Sequence, residues 1–167
     1  FKAIETRNSR ESSQRPKVAI FGDLYARDNP TINQDLIHFI ELHGGEVVTT
    51  PYSSYAKMIA RPYLRKWFVE GQYLYALSSK ALLAEMIRRE KPYLRRFNQI
   101  LNEPEARYDD PPEEILAAFN LRIENTGESM DNLLKIHYLL KYHPEISLFV
   151  QTSPAFCCPA LVTEAMA

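Results

Sequence analysis

Lys17-Val18-Ala19-Ile20-Phe21 is a short, unbroken apolar run ended by Gly22, the pattern of a strand buried on both faces in a parallel sheet. The period then changes. Ile32, Leu36, Ile37, Phe39, Ile40 and Leu42 recur at helical spacing behind Thr31, and Gly44-Gly45 supplies the left-handed stop that helices favour. Glu46-Val47-Val48-Thr49-Thr50 reads as a second strand, ended by Pro51. Strand, helix and strand within about 35 residues make a crossover unit, which implies parallel neighbours with the helix packed on one face.

From Ser54 to about Asn120 no strand pattern is found, only helical patterns interrupted by Pro62, Pro92, Pro104 and Pro111-Pro112. Pro111-Pro112-Glu113-Glu114 predicts the first turn of a helix through about Ala118. The α/β pattern resumes after it. Thr126-Gly127-Glu128-Ser129 leads into a helix whose apolar residues Met130, Leu133, Leu134, Ile136, Tyr138, Leu139 and Leu140 recur every three or four positions, ending near Tyr142-His143-Pro144. Ile146 to Gln151 predicts a third strand, and Ala160 to Ala167 a short helix. The expected class is therefore α/β: a partial, parallel, three-layer sheet of flavodoxin- or Rossmann-like type, carrying a large helical insertion over about 54–120. Residues 1–16 are polar and patternless and are expected to be a flexible linker, leaving 17–167 as a single α/β domain fragment. A chain that starts with Phe1 and stops at Ala167 in mid-helix reads as a piece of a longer polypeptide.

Composition narrows the partners. A chain of 167 residues with 46% hydrophobic content can bury a core of ordinary size. Its 20 Lys and Arg against 21 Asp and Glu provide no whole-chain attraction to nucleic acid or to an anionic membrane, so small molecules or protein partners are expected. No apolar run approaches the roughly 20 residues of a membrane span, and no signal-peptide layout opens the chain, so the cytoplasm is the expected compartment. The two cysteines are adjacent and cannot build a disulfide framework. With five glycines, no Gly-x-Gly-x-x-Gly and no Gly-x-x-x-x-Gly-Lys-Ser/Thr, neither a dinucleotide nor ATP has its usual cradle, and ATP use would have to come from another domain.

Ligands of parallel sheets bind at the carboxyl ends of strands, and three loops leave those ends. The first carries Asp23, Tyr25, Arg27, Asp28 and Asn29, the second Tyr52, Ser53 and Ser54, and the third Thr152, Ser153, Cys157 and Cys158. Two thiolates can hold part of a metal or iron–sulfur centre, although a complete centre needs further ligands. A helix start just after the pair favours thiolate, which suits a ligand or a nucleophile equally. The plain alternative is a buried apolar pair beside Phe156, Pro159 and Ala160. A fixed guanidinium at Arg27 suits a carboxylate or phosphate, whereas the plain reading of that loop is a capped turn in which Asp28 or Asn29 caps the next helix. His38 with His43 and His137 with His143 lack metal-ligand spacing, and acidic residues interleave with the basic aromatic stripe of the insertion, which reads as a solvated face.

Gly22-Asp23-Leu24-Tyr25-Ala26-Arg27-Asp28-Asn29-Pro30 with Asn33-Gln34-Asp35-Leu36, and Leu148 through Met166 with its Phe156-Cys157-Cys158-Pro159 core, resemble the C-terminal region of the large CoA-substrate-specific enzyme activases. That region is similar to the subunits of 2-hydroxyacyl-CoA dehydratases. The resemblance spans about Lys17 to Ala167, and its most specific part is the cysteine segment. It implies anaerobic iron–sulfur redox work driven by ATP hydrolysis in another domain. On that implication Cys157 and Cys158 supply one or two thiolates of a cluster completed outside this chain. Asp23, Tyr25, Arg27 and Ser153 would then lie at the cluster or acyl-CoA edge. The implied partners are the other domains of the parent polypeptide, with an acyl-CoA or a dehydratase subunit. The rival expectation is a flavodoxin-like interaction or regulatory module whose cysteines are structural. A thiol-dependent transferase using Cys157 ranks last, for want of a nearby histidine.

Overall fold

A computed structural model describes residues 15–101, 106–123 and 127–166, with side chains of 97–101 left aside. Of the expected linker only Arg15 and Pro16 fall among the described residues. The fold is a partial parallel α/β sheet with a large helical region. Two compact units are distinguished: one runs to Thr50 and resumes at Lys135, and the other is Pro51–Leu134.

In the α/β unit, β1 (Lys17–Gly22), β2 (Glu46–Thr49) and β3 (Ile146–Thr152) form a parallel sheet in the order β2-β1-β3. Val18 pairs with Val47 on one side and Leu148 on the other, and Gly22 pairs with Thr152. The register toward β3 slips between Lys17 and Val18. Central β1 is buried from Val18 onward, which is why its sequence is apolar without alternation. Its outer neighbours are partly exposed, as edge strands are.

The loop after β1 is not irregular throughout. Asp23 caps a five-residue helix, α1 (Leu24–Asp28), accepting from the Ala26 amide at 2.7 Å. The helix expected from Thr31 starts later, as α2 (Leu36–Leu42). Gln34 and Asp35 adopt positive φ, which helical backbone cannot accommodate, and the Asn33 side chain accepts from the Leu36 amide at 3.3 Å instead. Gly44, at φ +86°, ends α2 as expected.

The helical unit holds α3 (Tyr52–Val69), α4 (Tyr73–Leu101), α5 (Pro112–Ala117) and the first half of α6 (Glu128–Tyr142). Pro62 and Pro92 interrupt neither α3 nor α4. A proline removes one amide and crowds the carbonyl four residues back, and packing offsets that loss in α3, where Pro62 and Met58 are buried. The α3–α4 turn closes with Gly71 and Gln72 amides donating to Phe68 and Trp67 carbonyls, an arrangement that satisfies helix-end acceptors. Ser53 and Lys57 of α3 both reach Glu90 of α4, at 2.5 and 2.6 Å. Desolvation opposes the Glu90 charge, but Lys57 and Ser53 outweigh it and hold the carboxyl below its usual range.

The Tyr55 hydroxyl donates to Asp131 Oδ2 at 2.8 Å. Burial first, and the Asp131 charge second, push this phenol well above its ordinary range. The folded state thus keeps the proton to higher pH than the unfolded chain does. Its contribution is fully present below about pH 10, the ordinary tyrosine value, and is lost as pH rises beyond it. Tyr55→Phe is expected to lose about 1–2 kcal/mol at neutral pH and to show a shallower fall in stability between pH 9 and 11. Urea denaturation at both pH values checks this, and identical alkaline slopes in the two proteins would refute it.

Candidate functional site

Gly22 sits at φ +108°, and a Cβ there would lie 2.1 Å from the Thr152 carbonyl oxygen. No side chain fits. The close approach lets the Asp23 amide donate to that carbonyl at 2.9 Å, while Thr152 Oγ1 donates to the Phe21 carbonyl at 3.1 Å. The first and third loops are thereby joined at their roots, on the carboxyl edge of the sheet where the sequence places them. Lys135 completes this floor: it is 1% exposed and its Nζ donates to the Gly22 carbonyl at 3.0 Å. Sequence reasoning missed it, because a lysine amid the apolar positions of α6 reads as a solvent-side residue. Its position next to Leu134 in the buried stripe was the signal.

From Thr152 the chain runs outward. Ser153, Pro154 and Ala155 are exposed, and Phe156 is 94% exposed with a left-handed φ of +62°. Cys157 accepts the first helical bond, from the Leu161 amide at 3.1 Å, and α7 (Cys158–Met166) begins with Cys158. The helix thus starts at the second cysteine rather than at Ala160, with Thr163 back-bonded to the Pro159 carbonyl. Both thiols are free, Cys157 half-buried and Cys158 exposed. The alternative of a core pair is therefore corrected: Phe156, expected as apolar cover, faces outward, and only Ala160 and Thr163 of α7 are buried. The sulfur of Cys158 makes one long contact, 4.0 Å to the Phe156 carbonyl.

The remaining site residues divide. Tyr25 is 68% exposed, and Ser153 is exposed. Asp23 spends its carboxylate on the α1 cap. Arg27 is 1% exposed and lays its Nε and Nη2 on the two Asp28 oxygens, both at 2.7 Å, while its carbonyl accepts from Asn33 Nδ2 at 2.7 Å. Its bidentate face is thus taken by a carboxylate of the same loop. Asn29 accepts from the Thr31 and Ile32 amides, so the capping work expected of Asp28 or Asn29 is shared among Asp23, Asn29 and Asn33. The second loop is not a loop: Tyr52 to Tyr55 form the first turn of α3, with Ser53 committed to Glu90.

Among the described residues no group of three or more His, Cys, Asp or Glu side chains gathers to hold a metal ion. Cys157 and Cys158 could supply part of a ligand set and no more. No helix among the described residues is long and apolar enough to cross a membrane. No protein-family model, no curated protein and no solved structure matches the chain.

Proposed function

We propose that this chain is the thiol-bearing part of an iron–sulfur redox protein, a dehydratase-like portion of a CoA-substrate-specific activase. In that role Cys157 and Cys158 donate one or two thiolates, and the remaining ligands come from other domains of the parent polypeptide. The observation that carries the reading is the accessible thiol pair on the carboxyl edge of a parallel sheet, rooted by the Gly22–Thr152 clamp. A ligand that a second domain must complete has to stand free of its own core, and these thiols do. A bound cluster would supply one-electron chemistry at a potential set by hydrogen bonding and exposure. The chain's own part is to fix the backbone on which the sulfurs stand. Arg27 with Asp28 stiffens the neighbouring loop, and exposed Tyr25 and Ser153 remain available to a bound group. ATP and acyl-CoA, in this proposal, are handled elsewhere in the parent protein.

The test is iron and acid-labile sulfide per chain in the anaerobically purified parent polypeptide, beside its Cys157→Ser and Cys158→Ser variants. Loss of at least half the iron in either variant is expected. Unchanged iron in both would end the cluster proposal and favour the interaction-module reading, in which the exposed Phe156 loop is a contact surface.

A further inference from the structure

The helical unit contains a cleft of about 980 Å³ that the cysteine site does not involve. It is lined by α3, α4 and the segment Ala106–Asp109, which the Arg61 guanidinium ties down through the Asp109 carbonyl. Toward the α3–α4 turn its walls are apolar: Leu64, Phe68, Tyr73, Ala76 and Leu77. Phe68 and Tyr73 meet edge to face at 5.3 Å, yet both, like Leu77, are mostly exposed. Leu77, Lys80, Leu83, Ile87, Lys91 and Leu94 line the cleft at steps of three or four, a single stripe of α4.

Its charge is one-sided in a chain that is nearly neutral. Among the described residues that line it, Lys57, Arg61, Arg65, Lys80, Lys91 and Arg107 stand beside two carboxylates, Glu90 and Asp109. Glu90 is committed to Lys57, and Arg65 pairs with Glu113. The Lys80 and Lys91 side chains have no ion-pair or hydrogen-bond partner among the described residues. Lys91 lies toward the end remote from the aromatic wall, about 27 Å along α4 from Tyr73 at the helical rise.

We propose that this cleft binds an amphipathic organic anion, its carboxylate or phosphate head on Lys91 and its chain along Ile87 and Leu83 toward the Phe68–Tyr73 wall. Volume favours a small molecule over a docked helix. The cleft lies at the upper end of the roughly 300–1,000 Å³ of ligand sites, and a helix about 10 Å across would fit only roughly two turns into it. Leu83 and Ile87 offer apolar surface to the chain of such a molecule, and Lys91, at the end remote from the aromatic wall, offers a cation to its head.

Calorimetric titration of the full chain with dodecanoate, below its micellar concentration, is the test. Dodecyltrimethylammonium has the same chain with the opposite charge, inorganic phosphate has charge without a chain, and phosphatidylglycerol vesicles offer the same chemistry as a surface. Saturable binding of one dodecanoate per chain is expected, at least about tenfold tighter than the cationic amphiphile, with no heat from phosphate. Lys91→Glu should weaken it about tenfold, and Ile87→Asp should abolish it, both with unchanged circular dichroism. Both positions are on the surface of α4, so these variants keep the fold. Equal affinity for the two amphiphiles, binding to vesicles alone, no binding, or indifference to both substitutions would overturn the proposal.

Discussion

Gly22→Ala is expected to unfold the α/β unit or leave it barely stable. The added methyl group would overlap the Thr152 backbone oxygen at 2.1 Å and stand on a backbone at φ +108°. Backbone cannot rotate away as a side chain can, so the strands must separate and the Asp23–Thr152 bond must go. Strain and overpacking together cost about 3 kcal/mol or more, a large share of the roughly 5–15 kcal/mol that holds a domain together. Gly44→Ala provides the control, because Gly44 also has positive φ but nothing lies within 4 Å of its new Cβ; only about 1 kcal/mol is expected there. Urea unfolding followed by circular dichroism compares the two. Equal losses would mean that the Thr152 contact is relaxed at little cost.

Arg27→Lys should cost about 2–4 kcal/mol although it conserves charge. An ammonium cannot reproduce the parallel bonds to both Asp28 oxygens, and a cation buried at this position is then left with poorer partners. The signature is a lower urea midpoint with an unchanged circular dichroism spectrum of the folded chain. Stability held within about 0.5 kcal/mol, the range of an ordinary surface change, would mean that the loop does not depend on the bidentate pairing.

The strands and α6 were legible because burial writes itself into period: β1 is apolar without alternation, and α6 repeats its apolar residues at three and four. Positions where a local rule yields to packing were not legible. Pro62 looks like a break until its burial in α3 is known, whereas Pro92 lies exposed within α4 and no packing explains it. Tyr52 to Tyr55 look like a loop because Pro51 precedes them, yet Pro51 is the N-cap and its carbonyl accepts the first helical bond, from the Tyr55 amide. The charge of Arg27 is visible in the sequence, but its burial and its pairing with Asp28 are not. The Ala106–Asp109 segment of the cleft carries no periodic signal at all.

The Gly22–Thr152 clamp also bears on motion. Amides bonded within such a joint open only when the strands part, so protection from hydrogen exchange should be high at Asp23 and fall sharply beyond Thr152. The segment from Ser153 to Phe156 is then a short tether with one anchored root and a helix on its far side. That far side is held as well, because Ala160 and Thr163 of α7 are buried, so exchange protection should rise again within α7 and the exposed stretch between the two anchors should exchange fastest.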